Sequence, residues 1–264
     1  MVNIIVCIKQ VSDPEAPASA YKIDAEAKRV ILKGIPPVLS PFDENALEAA
    51  LRIKDAHESK VTVISMGRNL SKAVLMKSLA TGADELLLLE DSAFDEMDSY
   101  ATAFTLASAI RKLGQYDLIL TGRQAADTNA GTVGSGIAEI LGIPSITIVR
   151  KVELNDGKVI AERVVLDGYE VIEAPLPSLI TVSNELGELR YSSVQEFIAS
   201  RKKLVMTWNA QELEVEPSQM RRAKLLRLFV PQKESRCEIV EGETPEEMGV
   251  NLALKLRRAR ILWR

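Results

Sequence analysis

The residues of this chain best suited to chemistry lie between Thr121 and Pro144, in the run TGRQAADTNAGTVGSGIAEILGIP. Asp127, Thr128, Asn129, Gly131, Thr132, Gly134, Ser135 and Gly136 bring small side chains, hydroxyls and bare backbone N–H groups to the start of an apolar stretch with helical spacing. At a helix N-terminus the unpaired N–H donors and the positive end of the dipole favour an anion, and a diphosphate suits that geometry. The composition alone is not a fingerprint. Neither GxxxxGK[ST] nor a strict GxGxxG occurs, and a small-residue loop is also an ordinary connection. Placement favours the site, because ligands of open α/β sheets bind past the carboxyl ends of strands and the apolar run from Tyr116 to Thr121 ends there.

Other chemistries have little to work with. The single histidine, His57, sits in a polar helix end and reads as exposed, which leaves serine-hydrolase and zinc sites without their parts. Cys7 and Cys237 offer neither metal spacing nor a disulfide framework and suit a reducing, cytoplasmic setting. A formal charge of −4 argues against nucleic acid as the main partner. With 47% hydrophobic and 27% charged residues the chain has the composition of a soluble globular protein. Its apolar runs are too short for membrane insertion, and Met1-Val2-Asn3 leads straight into a strand, so no signal peptide is expected.

The elements that must position the loop alternate in the manner of a parallel sheet. Ile4 to Ile8 is the first strand, and Tyr21 to Asp24 with Arg29 to Leu32 reads as a hairpin laid over the edge. Ser40-Pro41-Phe42-Asp43 spells a helix start, with Ser40 as N-cap, Pro41 in the first position and Asp43 answering the cap. Phe42, Ala46, Leu47, Ala50 and Leu51 make its expected buried stripe. Strands at Val61 to Ser65 and Leu86 to Leu89 alternate with helices at Leu70 to Ala80 and Ser99 to Leu113. Loops after the first strand, after Ser65 and after Thr121 therefore converge on one cleft, where Met66 and Phe42 either pack an adenine ring or belong to the core.

Past Pro144 the pattern changes to hairpins around Asn155-Asp156-Gly157 and Asp167-Gly168, and Leu179 to Val182 reads as completing an antiparallel addition. A short helix then ends in Arg201-Lys202-Lys203. From Leu204 to Glu243 periodicity is lost, yet Leu225 to Val230 is strongly apolar, so residues 204–264 are expected to form an arm and last helix that lie on another subunit, distinct from a domain of residues 1–203.

These residues together resemble the small (β) subunit of electron-transfer flavoprotein over nearly the whole chain. The resemblance is carried by IIVCIKQV at Ile4 to Val11, Ser40-Pro41-Phe42-Asp43 with Ala46-Leu47-Glu48, Ser65-Met66-Gly67, Gly122-Arg123-Gln124-Ala125 with Asp127, Val133-Gly134, Asp167-Gly168 with Glu170, and Arg190-Tyr191. It implies an adenine-nucleotide-binding, Rossmann-like α/β fold and a heterodimer with a larger FAD-bearing α subunit. The nucleotide of the β subunit is implied to rest on Cys7, Ser40, Pro41, Phe42, Asp43, Met66, Gly122, Arg123, Asp127, Thr128, Asn129, Ala130, Gly131, Thr132, Val133, Gly134, Ser135 and Ile137. Lys9-Gln10-Val11-x-Asp13 and Tyr21 to Asp24 are similar to the electron-bifurcating group, where that nucleotide is a second FAD and NAD(H) a transient substrate. In ordinary members it is structural AMP. Arg190, Tyr191 and Val194 fall on the family's partner-recognition loop, which implies docking to a flavin-containing dehydrogenase of lactate or acyl-CoA type, with ferredoxin a further candidate; the bland alternative is that Tyr191 and Val194 pack the loop onto the hairpins. Two readings of another class stand beside this one. An ATP-using enzyme would need metal carboxylates and a phosphate-facing cation, for which only Asp127 and Arg123 serve; a nucleotide-sensing module would account for residues 1–145 alone.

Overall fold

A computed structural model describes residues 1–32, 34–231 and 237–261. In chain order the strands and helices are β1 (Val2–Ile8), β2 (Gln10–Val11), β3 (Tyr21–Asp24), β4 (Arg29–Leu32), β5 (Val38–Leu39), α1 (Pro41–Ala56), β6 (Ser59–Gly67), α2 (Lys72–Thr81), β7 (Glu85–Glu90), α3 (Ser99–Leu113), β8 (Leu118–Gly122) and α4 (Val133–Leu141). There follow β9 (Ser145–Asn155), β10 (Lys158–Val165), β11 (Gly168–Pro175), β12 (Ser178–Val182), α5 (Val194–Ser200), β13 (Leu204–Trp208), α6 (Pro217–Met220) and α7 (Pro245–Arg258). The chain divides into two compact units, residues 1–227 and 228–264.

A nine-stranded sheet ordered β11-β10-β9-β12-β8-β1-β6-β7-β13 organises the first unit. From β9 to β13 every neighbouring pair is parallel, whereas β9–β10 and β10–β11 are antiparallel. Alternation along each strand feeds two cores. Ile4, Val6 and Ile8 of β1 pack in the cluster that holds Leu47 and Leu51 of α1 and Leu75 and Leu79 of α2. Ile5 and Cys7 pack with Leu106 and Ile110 of α3 and Ile137 of α4 on the other face. Each fully buried leucine or isoleucine contributes roughly 2 kcal/mol of transfer free energy. The chain runs from β1 outward through β6 to β7, then crosses back to β8 on the opposite side of β1, so the strand order reverses between β1 and β8. At such a reversal the flanking loops splay apart and leave a crevice at the carboxyl edge.

The helix boundaries follow the chemistry of their ends. Gly82 and Gly142 have positive φ directly after α2 and α4, and Asp98 caps α3 by accepting the Ala101 N–H at 2.8 Å. Asp156 and Gly157, both at positive φ, make the two-residue turn between β9 and β10.

Three expectations are corrected. Leu179 to Val182 is not antiparallel: β12 lies between β8 and β9, parallel to both, and all five of its residues are buried. A run with no polar alternation is what a strand covered on both faces requires. Ser40 does sit at the start of α1 but its side chain makes no capping bond, and the Asp43 carboxylate accepts the N–H groups of Lys9 and Gly122 in place of closing a capping box. Finally, the chain from Leu204 does not leave the domain at once. β13 is the sheet's edge strand beside β7, and Ala210, Leu213 and Val215 are buried against the α3 face. Of the stretch read as an arm, residues 232–236 lie outside the described residues.

In the second unit Thr244 caps α7 through the Glu247 N–H at 3.2 Å and Pro245 holds its first position, as the sequence indicates. No residue of α7 is buried, and Met248, Val250, Leu252 and Leu254 are exposed apolar side chains.

Candidate functional site

The crevice at the strand reversal is a cleft of about 1240 Å³. Of the residues implied for a nucleotide, Cys7, Asp43, Met66, Gly122, Arg123, Asp127, Thr128, Ala130, Gly131, Val133 and Gly134 line it. The rest stand behind or beside it. Ser40 is fully buried, with its Oγ 3.4 Å from the Ala126 N–H. Pro41, Asn129 and Thr132 are exposed and Ser135 is half-buried. Ile137 is fully buried in the α3–α4 core, and Phe42 is half-buried beneath Arg123, its ring 4.8 Å from the guanidinium carbon.

Asp43 is the tie that holds the crevice together. Its two carboxylate oxygens accept the Lys9 N–H at 2.8 Å, where β1 ends, and the Gly122 N–H at 3.1 Å, where β8 ends. One side chain at the start of α1 therefore clamps the two loops that part at the reversal. Burial pushes its pKa up to about 7, against the pull of those two N–H groups, the Lys9 charge and Ser40. Cys7 beside it is pushed up to about 12 by burial and then by Asp43, so it is a neutral thiol and not a nucleophile.

The loop after β8 is set by backbone. A Cβ on Gly122 would lie 2.4 Å from Asp43 Oδ1 and 2.7 Å from the Phe42 carbonyl carbon, so only glycine lets α1 approach. Asn129 and Gly131 take positive φ, and Gln124 Nε2 donates to Asn129 Oδ1 at 2.9 Å, which holds the loop's own curve. Lys9 Nζ pairs with Asp127 at 2.6 Å across the mouth. Gly134 is required for packing, since its Cβ would meet Thr121 Oγ1 at 2.6 Å and Thr181 Cγ2 at 2.8 Å. Its absence seats the start of α4 directly on β8 and β12.

The site fits a phosphate-bearing ligand on two observations. Thr132 occupies the N-cap of α4 without a capping bond from its side chain, which leaves the first-turn N–H groups free of the usual internal acceptor. Arg123 Nε is buried with no partner in the protein. Eight cations, Lys9, Lys28, Arg29, Arg68, Arg123, Arg221, Arg222 and Lys224, line the cleft among the described residues, against the acids Asp43, Asp95, Glu96, Asp98 and Asp127. Their excess favours an anion. Met66, Phe94, Met97 and Leu106 supply apolar surface for a planar ring.

Sequence reasoning missed the far wall. The loop from Phe94 to Asp98, the tip of the β3–β4 hairpin and the segment from Arg221 to Leu225 all line the cleft. The first carried a legible signal, because it leaves the carboxyl end of β7 at the same edge as the other loops. The segment at Arg221 gave none, since its position depends on partners more than a hundred residues away.

The loop from Arg190 to Val194 has two characters. Arg190 is committed inward: Nε meets Glu48 at 3.0 Å and Nη2 meets Asp55 at 2.8 Å on α1, while its N–H donates to Glu48 at 3.1 Å. Burial of Glu48 would raise its pKa, but the Arg190 guanidinium and N–H together with Arg52 hold it below the usual value. Tyr191 and Val194 are 95% and 77% exposed, so neither packs the loop onto the hairpins. A reciprocal capping box between Ser193 and Glu196 starts α5 there, and Phe197 and Ile198 add to the exposed apolar surface.

A mostly parallel α/β sheet with a basic cleft at its strand reversal and an uncapped helix start in one wall defines the structural class. The electron transfer flavoprotein domain family matches residues 29–213. Electron transfer flavoprotein subunit beta of Thermoanaerobacterium thermosaccharolyticum is 42% identical over 266 residues, which covers 99% of this chain and 100% of that protein. The caffeyl-CoA reductase-Etf complex subunit CarD of Acetobacterium woodii is 38% identical over 266 residues, with the same coverage of 99% and 100%. Protein FixA of Azorhizobium caulinodans is 35% identical over 222 residues, 81% of this chain and 78% of its own. The chain belongs to the electron transfer flavoprotein family, as an electron-transfer protein of its β-subunit type. Among the described residues no helix is long and apolar enough to cross a membrane.

Proposed function

We propose that this chain pairs with an electron-transfer flavoprotein α subunit and holds FAD in the cleft, so that electrons pass between NAD(H) and the α-subunit FAD and from there to a flavin-containing dehydrogenase, in flavin-based electron bifurcation. The observation that carries this reading is the size and charge of the cleft. At about 1240 Å³ it exceeds the range of roughly 300–1,000 Å³ common for single small-molecule sites, and its cations extend well beyond the start of α4. A mononucleotide would need only the near wall; a dinucleotide uses both.

In this reading the first-turn N–H groups of α4, with Gly131 shaping the approach, hold the diphosphate. Arg123, supported on the Phe42 ring, adds charge from the β8 side. Met66, Phe94 and Leu106 flank the planar rings and exclude water. The redox chemistry is what bound flavin supplies, and the chain binds, orients and shields it. No residue acts as acid, base or nucleophile; the Cys7 thiol stays protonated. Tyr191, Val194 and Ile198 present the surface for a dehydrogenase of lactate or acyl-CoA type, with the α1 clasp on Arg190 holding that surface in place. The CarD relative, a subunit of a caffeyl-CoA reductase-Etf complex, favours the acyl-CoA type. Ferredoxin is the further acceptor that bifurcation calls for.

The test is to co-express the chain with its α partner, denature the purified heterodimer and count nucleotides by chromatography and absorbance. Two FAD per heterodimer supports the proposal. One FAD with one AMP assigns the ordinary role and sinks it.

A further inference from the structure

The far wall of the cleft is assembled from three segments that have no part in the phosphate loop. Asp95, in the loop after β7, is their meeting point. Its carboxylate pairs with Arg29 of the β3–β4 hairpin and with Arg68 Nη1 at 3.0 Å, and its backbone carbonyl accepts Arg221 Nη2 at 2.7 Å. Asp98, three residues on, has a divided carboxylate. Oδ1 caps α3 through Ala101, while Oδ2 accepts the backbone N–H groups of Arg222 and Ala223. Lys28 Nζ donates to the Leu225 carbonyl at 3.0 Å, and the Arg222 guanidinium lies 5.1 Å over the Tyr100 ring.

These bonds hold an extended strap, Arg221 to Leu225, along the cleft although its own side chains are mostly exposed and it has no secondary structure. An irregular segment with exposed side chains has no burial to fix it, so its place rests on these polar ties. The strap brings Arg221, Arg222 and Lys224 to the cleft beside the loop that follows β7. We infer that this strap is a ligand-gripping element: it closes over the part of an anionic dinucleotide that the α4 wall does not reach, and Asp98 is the positioning residue that holds it there. The inference rests on the reading of the cleft as a dinucleotide site and adds residues to it that neither the phosphate loop nor the sequence resemblance supplies.

The strap carries its own reporter, because trypsin cuts after Arg222 and Lys224. The heterodimer is digested with the β site emptied and then refilled with FAD, and early cleavage is mapped by mass spectrometry. Refilling is expected to slow cutting at both positions by about tenfold or more, since cleavage of a held segment follows the population of its open form. The second arm uses Asp98→Ser, whose hydroxyl can still cap α3 while the acceptor for Arg222 and Ala223 is gone. That heterodimer should keep its melting temperature and its α-subunit FAD but lose β-bound FAD about tenfold faster, with strap cleavage no longer slowed by FAD. FAD bound in the β site with unchanged cutting, or Asp98→Ser releasing FAD at the wild-type rate, overturns the strap alone. Failure of FAD to refill the β site overturns the dinucleotide reading and the strap with it.

Discussion

The two walls of the cleft are built from different materials. The near wall, from β8 to the start of α4, is fixed by backbone and by missing side chains: Gly122 lets α1 approach, Gly134 seats α4 on the sheet, and Asp43 ties both loops to the helix. The far wall is a set of distant segments joined through Asp95 and Asp98 by ion pairs and single hydrogen bonds. A wall of the first kind is stiff and insensitive to salt, because moving it means opening the core. A wall of the second kind opens locally and is screened by salt. A ligand that spans the cleft would meet a rigid surface on one side and an adjustable one on the other.

The largest expected effect lies in the near wall. Gly134→Val forces atoms into the space of Thr121 and Thr181 and should cost about 3 kcal/mol or more, visible as a large fall in melting temperature. That substitution probes packing, so a merely local loss of nucleotide with full stability would break the description of this wall.

Asp43→Ala comes next. It leaves the half-buried Lys9 and buried Gly122 N–H groups without acceptors, at a cost of about 2–4 kcal/mol by denaturant unfolding. It should also change the pH dependence. With a folded pKa raised to about 7, Asp43 keeps its proton where the unfolded chain, at about 4, has lost it. The group's contribution therefore favours folding most at low pH, falls as pH rises from about 4 to 7, and is flat beyond. Unfolding curves at pH 5 and pH 8 should differ by less in the variant once that slope is gone.

The clasp on the loop at Arg190 stands between the two walls in character. Glu48 is 5% exposed, and Glu48→Ala frees Arg190, for an expected loss of about 2 kcal/mol. Since the pKa of Glu48 is depressed, its contribution is present at neutral pH and lost as pH falls through the carboxylate range. Dehydrogenase docking should weaken in this variant and in Val194→Asp, but only the first should lower the melting temperature. Smallest of all is Asp95→Asn, about 0.5 kcal/mol in stability given partly exposed partners, yet by releasing Arg29 it should raise trypsin cutting at the tip of the β3–β4 hairpin and make that cutting insensitive to added salt.

What the sequence revealed follows the same division. The near wall was legible because local rules set it: a strand of β-branched and leucine residues, a small-residue loop and a helix closed by Gly142 all lie within one short run. The helix start at Pro41 was legible too, but the partners of Ser40 and Asp43 were not, since a capping pattern says nothing of a β-strand end waiting 34 residues back at Lys9. Leu179 to Val182 was read with the hairpins before it because adjacency in sequence suggested antiparallel pairing, whereas its burial on both faces placed it between β8 and β9. The strap could not be read at all. Its position depends on Asp95 and Asp98, more than a hundred residues earlier, and no local pattern encodes that distance.

If both walls grip one ligand, the cleft must distinguish a dinucleotide from a mononucleotide. The decisive measurement is the affinity of the β site, in the heterodimer freed of its β nucleotide, for FAD and for AMP side by side. AMP meets only the near wall, so FAD should bind about a hundredfold tighter or more, a difference of about 2.7 kcal/mol, and Asp98→Ser should narrow that gap by weakening FAD while leaving AMP unchanged. Equal affinities for FAD and AMP, in wild type and variant alike, would contradict the two-walled cleft.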